Sequence, residues 1–194
     1  CLMILNNVNS QYSASSSPIY GILFDGAWLW EEYLWTILKD ATLVGKNFVH
    51  PTNKDRKGGI RLFDNSLDPE DSSFKKCYRR IYPDFYCENS REDSNDGIIL
   101  DAKYKRLENG LVRDDLYQII SYMHTMKIST GEFVYPQKEK EDLSEQKPAK
   151  YHLANNTGII KTFGFVVPQC ETDYEPFQKK MQKAEKELVR EILS

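Results

Sequence analysis

Apolar residues recur at helical spacing between Asp25 and about Asp40, where Trp28, Leu29, Trp30, Tyr33, Leu34, Trp35, Ile37 and Leu38 follow an Asp-Gly start. That pattern predicts an amphipathic helix. A polar, Gly-containing stretch from Asn53 to Gly59 leads into a short strand candidate at Ile60–Phe63, and residues 64–76 read as loop. Two strand-like runs follow, Tyr78–Cys87 and Ile98–Lys105, separated by the acidic, turn-rich Glu88–Asp96. Such a pair predicts an antiparallel hairpin. Asp114 to about Lys127 reads as a second helix, with Asp114 and Asp115 at its start and Leu116, Ile119, Ile120 and Met123 as its buried stripe. Glu132–Tyr135 is a strand candidate, and the charged and polar run Gln137–Lys150 reads as a solvated loop or hairpin tip. Strands at Tyr151–Ala154 and Ile160–Val167 come next, the latter ended by Pro168, and a last helix spans about Tyr174 to Leu193. The order α-β-β-β-α-β-β-β-α describes an α/β fold, a mixed sheet flanked by helices.

Composition narrows the picture only a little. The chain has 194 residues, 40% of them apolar, which suits one core. A net charge of −3 argues against a tight, autonomous nucleic-acid-binding module. It argues less against a nuclease, whose site is itself acidic and which borrows affinity from a partner. The cysteines (Cys1, Cys77, Cys87, Cys170) lack C-x-x-C spacing and the histidines are scattered, so no zinc site is expected. Reduced, structural thiols suit a cytoplasmic protein. No apolar run approaches the roughly 18 residues of a membrane span, and no signal peptide is visible. Residues 6–17 are rich in Asn and Ser, and Cys1-Leu2-Met3-Ile4-Leu5 reads like the tail of an upstream element. Residues 1–19 are therefore expected to be a linker or tail, and 20–194 the functional domain of a longer protein.

Candidate chemistry concentrates in Gly97-Ile98-Ile99-Leu100-Asp101-Ala102-Lys103-Tyr104-Lys105. Side chains alternate along a strand, so Asp101 and Lys103 share a face while Leu100 and Ala102 are expected to point into the core. Upstream, Tyr82-Pro83-Asp84-Phe85 places a second acid in a neighbouring strand. Two carboxylates and an ammonium at one end of a sheet suit phosphodiester hydrolysis: the acids hold Mg²⁺, and the lysine positions water and offsets developing negative charge. Lys105 continues that face as a phosphate-facing or solvated lysine.

Further residues are drawn in by helical spacing. Glu31 has Ala27, Trp28, Leu34 and Trp35 as its i−4, i−3, i+3 and i+4 neighbours, so its carboxylate lies amid apolar groups and needs a cation or donor. Glu32, with Thr36 and Lys39 nearby, is the solvent-facing acid of the pair. Gln118 and Tyr122 lie one turn apart beside the apolar stripe of the second helix; the amide is placed to bridge Lys103 or a phosphate, and the phenol to bond a DNA strand. Two basic clusters, Lys54/Arg56/Lys57/Arg61 and Lys75/Lys76/Arg79/Arg80, are candidate phosphate tracks.

Taken in order, Glu31, Asp84, Asp101-x-Lys103 and Gln118-x-x-x-Tyr122 resemble the RecB-like branch of the PD-(D/E)xK nucleases. More narrowly, the chain resembles the nuclease domain of McrC, the endonuclease subunit of McrBC-type 5-methylcytosine restriction systems. The narrower likeness rests on Trp30-Glu31-Glu32-Tyr33-Leu34, Tyr82-Pro83-Asp84-Phe85, Leu100-Asp101-Ala102-Lys103-Tyr104-Lys105 and Asp115-Leu116-Tyr117-Gln118-Ile119-Ile120-Ser121-Tyr122. It covers roughly residues 20–168. The resemblance implies a restriction-endonuclease-like fold, with Asp84, Asp101 and the Ala102 carbonyl binding Mg²⁺, Lys103 orienting the attacking water and Glu31 completing the site. It also implies DNA as substrate and a separate AAA+ GTPase subunit that translocates on DNA. The family usually contacts that partner through an N-terminal region, which is not recognisable here. The chain carries no G-x-x-x-x-G-K-[ST] motif, so nucleotide hydrolysis is assigned to another chain.

Two other readings remain open at this level. One is a RecB-like nuclease of DNA repair or mobile-element defence with no link to methylation. The other is a catalytically idle DNA-binding scaffold on the same fold, against which the presence of Asp84, Asp101 and Lys103 argues.

Overall fold

The computed structural model describes residues 25–40, 47–51, 58–64, 76–88, 97–105, 107, 110–138, 149–169 and 173–192. The expected linker at 1–19 and residues 89–96 of the acidic turn lie outside the described residues, as do Lys54, Arg56, Lys57 and Lys75 of the basic clusters. The elements are α1 (Gly26–Asp40), β1 (Ile60–Arg61), β2 (Arg80–Ile81), β3 (Phe85–Cys87), β4 (Ile98–Ala102), α2 (Arg113–Met126), β5 (Thr130–Lys138), β6 (Ala149–His152), β7 (Ile159–Val167) and α3 (Tyr174–Ile192). A short 3₁₀ turn, Ala154–Asn156, links β6 to β7.

Five strands form a mixed sheet in the order β3-β4-β5-β7-β6. The expected hairpin is present: β3 and β4 are antiparallel, with Phe85 opposite Leu100 and Cys87 opposite Ile98. From β4 the chain crosses through α2 to β5, which runs parallel to it, Asp101 lying beside Phe133. β5 is in turn parallel to β7, and β6 closes the edge antiparallel to β7. The Tyr78–Cys87 run is two strands rather than one. β2 pairs with β1 in a separate small sheet, and β3 begins only after Tyr82-Pro83-Asp84. Pro83 has no N–H to give to a ladder, which is a physical reason for the break.

β5 also runs further than expected, through Pro136, Gln137 and Lys138. Lys103 N–H donates to Val134 O at 2.9 Å, and β4 ends there. Alternation turns the ring of Pro136 towards that vacated edge, so its missing N–H breaks no bond to β7.

The core lies on both faces of the sheet. Ile98, Leu100, Val134, Phe165 and Val167 pack with Trp30, Leu34 and Leu38 of α1 and Ala184, Leu188 and Ile192 of α3. Ile99, Phe133 and Ile160 pack with Ile119, Tyr122 and Met123 of α2. This corrects the expectation of a core on only one side of β4: Asp101, 1% exposed, sits on the α2 face that also buries Ile99. On α2 the buried residues are Asp115, Ile119, Tyr122 and Met123, while Leu116 and Ile120 of the expected stripe are half-buried.

Gly131 sets how closely α2 approaches the sheet. A Cβ there would lie 2.8 Å from Met123 Sδ and 2.9 Å from Ile119 Cδ1. Overpacking of this kind costs about 1–3 kcal/mol. Gly131→Val is expected to lower the melting temperature accordingly and to impair whatever α2 holds in place. Unchanged melting would show that α2 has room to move.

Glu132, the next residue, points to the opposite face. It is fully buried, and neither carboxylate oxygen has a hydrogen-bond partner among the described residues. Burial first, and then the charge of Glu191, push its pKa up to about 7, against the opposing effect of Lys161 and Lys150. The rise from 4.5 to about 7 corresponds to about 3 kcal/mol. Between those values the folded state holds a proton that the unfolded chain has released. Stability is therefore expected to fall by that amount as pH rises from about 4.5 to 7. Glu132→Gln should flatten this part of the stability–pH curve, measured by denaturant melts at several pH values. An unaltered slope would count against the buried, protonated carboxyl.

Candidate active site

The chain converges at the end of β4, between α1 and α2. α1 starts with Asp25 Oδ1 accepting from the N–H groups of Ala27 and Trp28 at 3.1 and 3.2 Å, an ordinary N-cap. Trp30, Leu34 and Leu38 anchor its inner face, which leaves Glu31 at the edge of the packed surface, its side chain 31% exposed. Glu32 is also half-buried rather than fully solvent-facing.

Asp84 sits where the chain turns into β3. Its Oδ2 accepts from Ala102 N–H at 2.7 Å, standing in for the ladder partner that β3 no longer supplies. Asp101 and Lys103 share one face of β4, and Lys103 Nζ lies 2.5 Å from Asp101 Oδ2. The ammonium also donates to Gln118 Oε1 at 3.0 Å and lies 3.6 Å from Asp115 Oδ1. Gln118 Nε2 donates to Tyr122 OH at 2.9 Å, and that hydroxyl donates to Tyr82 O at 3.3 Å. Asp115, Gln118 and Tyr122 fall on one face of α2 by their i, i+3, i+7 spacing, and Gly131 lets that face come down onto the sheet. Glu31, Asp84, Asp101, Ala102, Lys103, Gln118 and Tyr122 are thus gathered into one region.

The structure refines three expectations. Tyr122 is 7% exposed, and its hydroxyl lies between Gln118 Nε2 and the Tyr82 carbonyl, in the segment before Asp84. Lys105 is neither free nor simply solvated: it pairs with Asp115 Oδ2 at 2.5 Å. Among the basic residues, Arg61, Lys76, Arg79 and Arg80 are exposed, and Arg80 Nη1 donates to Gly59 O.

Two residues of this region carry no marker in the sequence. His50 is brought in by an antiparallel bridge between Val49 and Tyr86, which lays residues 48–50 beside β3. Its Nδ1 is 2.7 Å from Asp84 O; a carbonyl only accepts, so Nδ1 carries the proton. Nε2 then faces Glu31 Oε1 at 3.6 Å, and the ring packs against Phe85 and Trp35 with centroids 4.8 and 5.4 Å away. Asp115 reads in the sequence as a helix-start acid, and only the fold places it between two lysines.

Electrostatics set this cluster apart. Burial, reinforced by the charges of Asp101 and Glu31, pushes the Asp84 carboxyl above the usual carboxylate range. Burial likewise raises Asp101, against the pull of Lys103. Glu31 is raised by burial and by the neighbouring acids Glu32, Asp101 and Asp25, with His50 opposing. For Lys103 burial disfavours the ammonium, but the combined carboxylates of Asp101, Asp115 and Asp84 outweigh it and the pKa moves up. Carboxyls whose pKa values are raised by burial and by one another, beside the Lys103 and Lys105 ammoniums, make a place that further positive charge would favour. Among the described residues no three His, Cys, Asp or Glu side chains form a ready metal cage. Mg²⁺ needs none: it keeps several waters and takes one or two carboxylates. Asp84 and Asp101 suit that requirement.

Comparison with known proteins bears on the family and the fold. Residues 1–136 match the family model described as McrBC 5-methylcytosine restriction system component. A search of curated proteins found no match. Among solved structures, the chain is similar to one in the refined half-complex from the tetradecameric assembly of Thermococcus gammatolerans McrB AAA+ hexamers with bound McrC. The TM-score is 0.55 at 16% identity, covering 88% of this chain and 33% of that one. At that identity the likeness concerns the fold, and the chain spans about a third of the similar one. No helix among the described residues is long and apolar enough to cross a membrane.

Proposed function

We propose, given that this chain belongs to the McrBC family of 5-methylcytosine restriction system components, that it is a Mg²⁺-dependent DNA endonuclease domain of such a system. The observation that carries this reading is the pairing of half-buried Asp84 with buried Asp101, both raised chiefly by desolvation, with the Lys103 ammonium 2.5 Å from Asp101. Asp84, Asp101 and the Ala102 carbonyl would hold Mg²⁺, which when bound supplies Lewis-acid polarisation of the phosphate and a more acidic water. Lys103 would orient the attacking water and offset negative charge on the phosphate as the P–O3′ bond breaks. Gln118 holds the ammonium towards the site, Tyr122 braces the segment carrying Asp84, and Glu31 completes the acidic wall through His50. Arg61, Lys76, Arg79 and Arg80 are candidates for backbone contacts to DNA.

On this reading the protein works in the cytoplasm with an AAA+ GTPase subunit. The similar structure contains McrB AAA+ hexamers with bound McrC, and the net charge of −3 leaves this chain with little affinity of its own for DNA. The test is cleavage of methylated and unmethylated plasmid with Mg²⁺ and GTP, by the full-length subunit with and without its AAA+ partner. Methylation-dependent cutting that needs partner and GTP is the expected result. Efficient cutting of unmethylated plasmid without partner or nucleotide would overturn the restriction reading in favour of a RecB-like repair or defence nuclease. No cutting in any arm would favour a DNA-binding scaffold.

A further inference from the structure

Asp115 is buried, 8% exposed, in the first turn of α2. An acid there is favoured by the helix dipole, which accounts for its presence but not for its partners. Its two oxygens face different lysines: Oδ1 lies 3.6 Å from Lys103 Nζ, and Oδ2 lies 2.5 Å from Lys105 Nζ. Charges of alternating sign thus run from Asp101 through Lys103 and Asp115 to Lys105.

The Lys103 ammonium has three N–H donors. In this arrangement it is drawn to Asp101 at 2.5 Å, to Gln118 at 3.0 Å and to Asp115 at 3.6 Å. The first contact is a close ion pair; the last is an ion pair beyond hydrogen-bond length. A divalent cation that takes Oδ2 of Asp101 competes with the ammonium for that atom, because two cations on one oxygen repel. Lys103 must then give up its shortest contact. Of its two other acceptors Gln118 is neutral, and Asp115 alone carries a compensating charge. A movement of about 1 Å turns the Asp115 ion pair into a hydrogen bond. Lys105, on the far oxygen, keeps the Asp115 carboxylate from turning away.

We propose that Asp115 is a positioning residue, which takes over the Lys103 ammonium from Asp101 when Asp101 binds the cation. It keeps Lys103 in the site without letting it block the metal. This inference rests on the metal reading of Asp84 and Asp101.

The experiment is a double-mutant cycle on Mg²⁺ affinity, measured by titration calorimetry without DNA, in the full-length subunit. Its members are the wild type, Asp115→Asn, Lys103→Ala and the double variant, with Asp101→Asn as control. Asp115→Asn keeps the shape and removes the charge. With Lys103 present, Asp115→Asn is expected to weaken Mg²⁺ binding about tenfold or more, because the ammonium stays on Asp101. In the Lys103→Ala background the same change should weaken binding less than about twofold. Cleavage by Asp115→Asn should fall about 10–100-fold in kcat, the usual cost of losing an outer-shell partner, with KM for DNA changed by less than about threefold. Equal weakening in both backgrounds would show a plain through-space charge effect and overturn the inference, as would a loss of melting temperature with Mg²⁺ affinity and kcat intact. If Asp101→Asn binds Mg²⁺ as well as the wild type, the metal reading itself fails and takes this inference with it. If Asp101→Asn loses the ion while Asp115→Asn does not, only the role of Asp115 is refuted.

Discussion

Lys103→Ala should lower the cleavage rate of the assembled enzyme by about 10²–10⁴-fold, the range for a group that acts on the proton or charge of the transition state. Binding of DNA should change far less. The ammonium lies within a cluster of acids, its Nζ 2.5 Å from Asp101 Oδ2 and 3.0 Å from Gln118 Oε1, rather than on an open surface. Its side chain is only 16% exposed, so it is poorly placed to supply long-range attraction to a polyanion. A group of this kind stabilises mainly what forms during the reaction, and its loss falls on kcat more than on KM. Single-turnover cleavage and a separate DNA-binding titration distinguish the two. A loss confined to binding would recast Lys103 as a phosphate anchor.

Asp84→Asn and Asp101→Asn should abolish cleavage and, without Mg²⁺, make the protein more stable rather than less. Each change removes a charge without removing volume. Both carboxyls have pKa values raised chiefly by burial, so their ionised forms are held at a cost to the fold. A raised carboxyl pKa means that the folded state loses stability as pH rises above the ordinary carboxylate range. At pH 8 the Asn variants should therefore melt several degrees above the wild type, since about 1 kcal/mol moves a protein of this size by roughly 2–4 °C. Added Mg²⁺ should reverse the order, because an ion that binds only the folded wild type stabilises it by mass action. Asp101→Asn will test this most sharply, since Lys103 then loses its nearest charge as well. Full activity in Asp101→Asn would remove the metal assignment. Lower stability in both variants without Mg²⁺ would show instead that the carboxylates hold the fold together.

The opposing effects of these variants on cleavage and stability have one physical origin. A site that gathers like charges in a partly dry space needs the packing of the rest to offset their repulsion. Here the offset comes from both faces of the sheet, with Phe85, Leu100 and Val134 on one side and Ile99, Phe133 and Ile119 on the other. The backbone helps too: Ala102 N–H is given to Asp84 Oδ2 rather than to a neighbouring strand.

Much of this arrangement is legible in the amino-acid sequence, because it rests on local periodicity. The 3.6-residue repeat marks α1, α2 and α3 to within a residue or two, and the Asp-Gly start of α1 is the observed cap. Alternation along Ile98–Lys103 places Asp101 and Lys103 on one side, and the turn-separated runs around Glu88–Asp96 form the antiparallel pair. The spacing of Gln118 and Tyr122 puts both on one helical face, where they meet in a hydrogen bond. Tertiary structure decided the rest. The parallel order β4-β5-β7 joins segments far apart in the chain, and no short-range pattern specifies which strands become neighbours. Burial of Asp101 follows from α2 covering the second face of the sheet, which alternation within one strand does not reveal. His50 reaches Asp84 and Glu31 only because residues 48–50 bridge to Tyr86, and Asp115 meets Lys103 and Lys105 only because Gly131 lets α2 settle onto β5. Periodicity along the chain says which side a residue faces; what it meets there depends on long-range packing, where each contact is made by a segment distant in sequence.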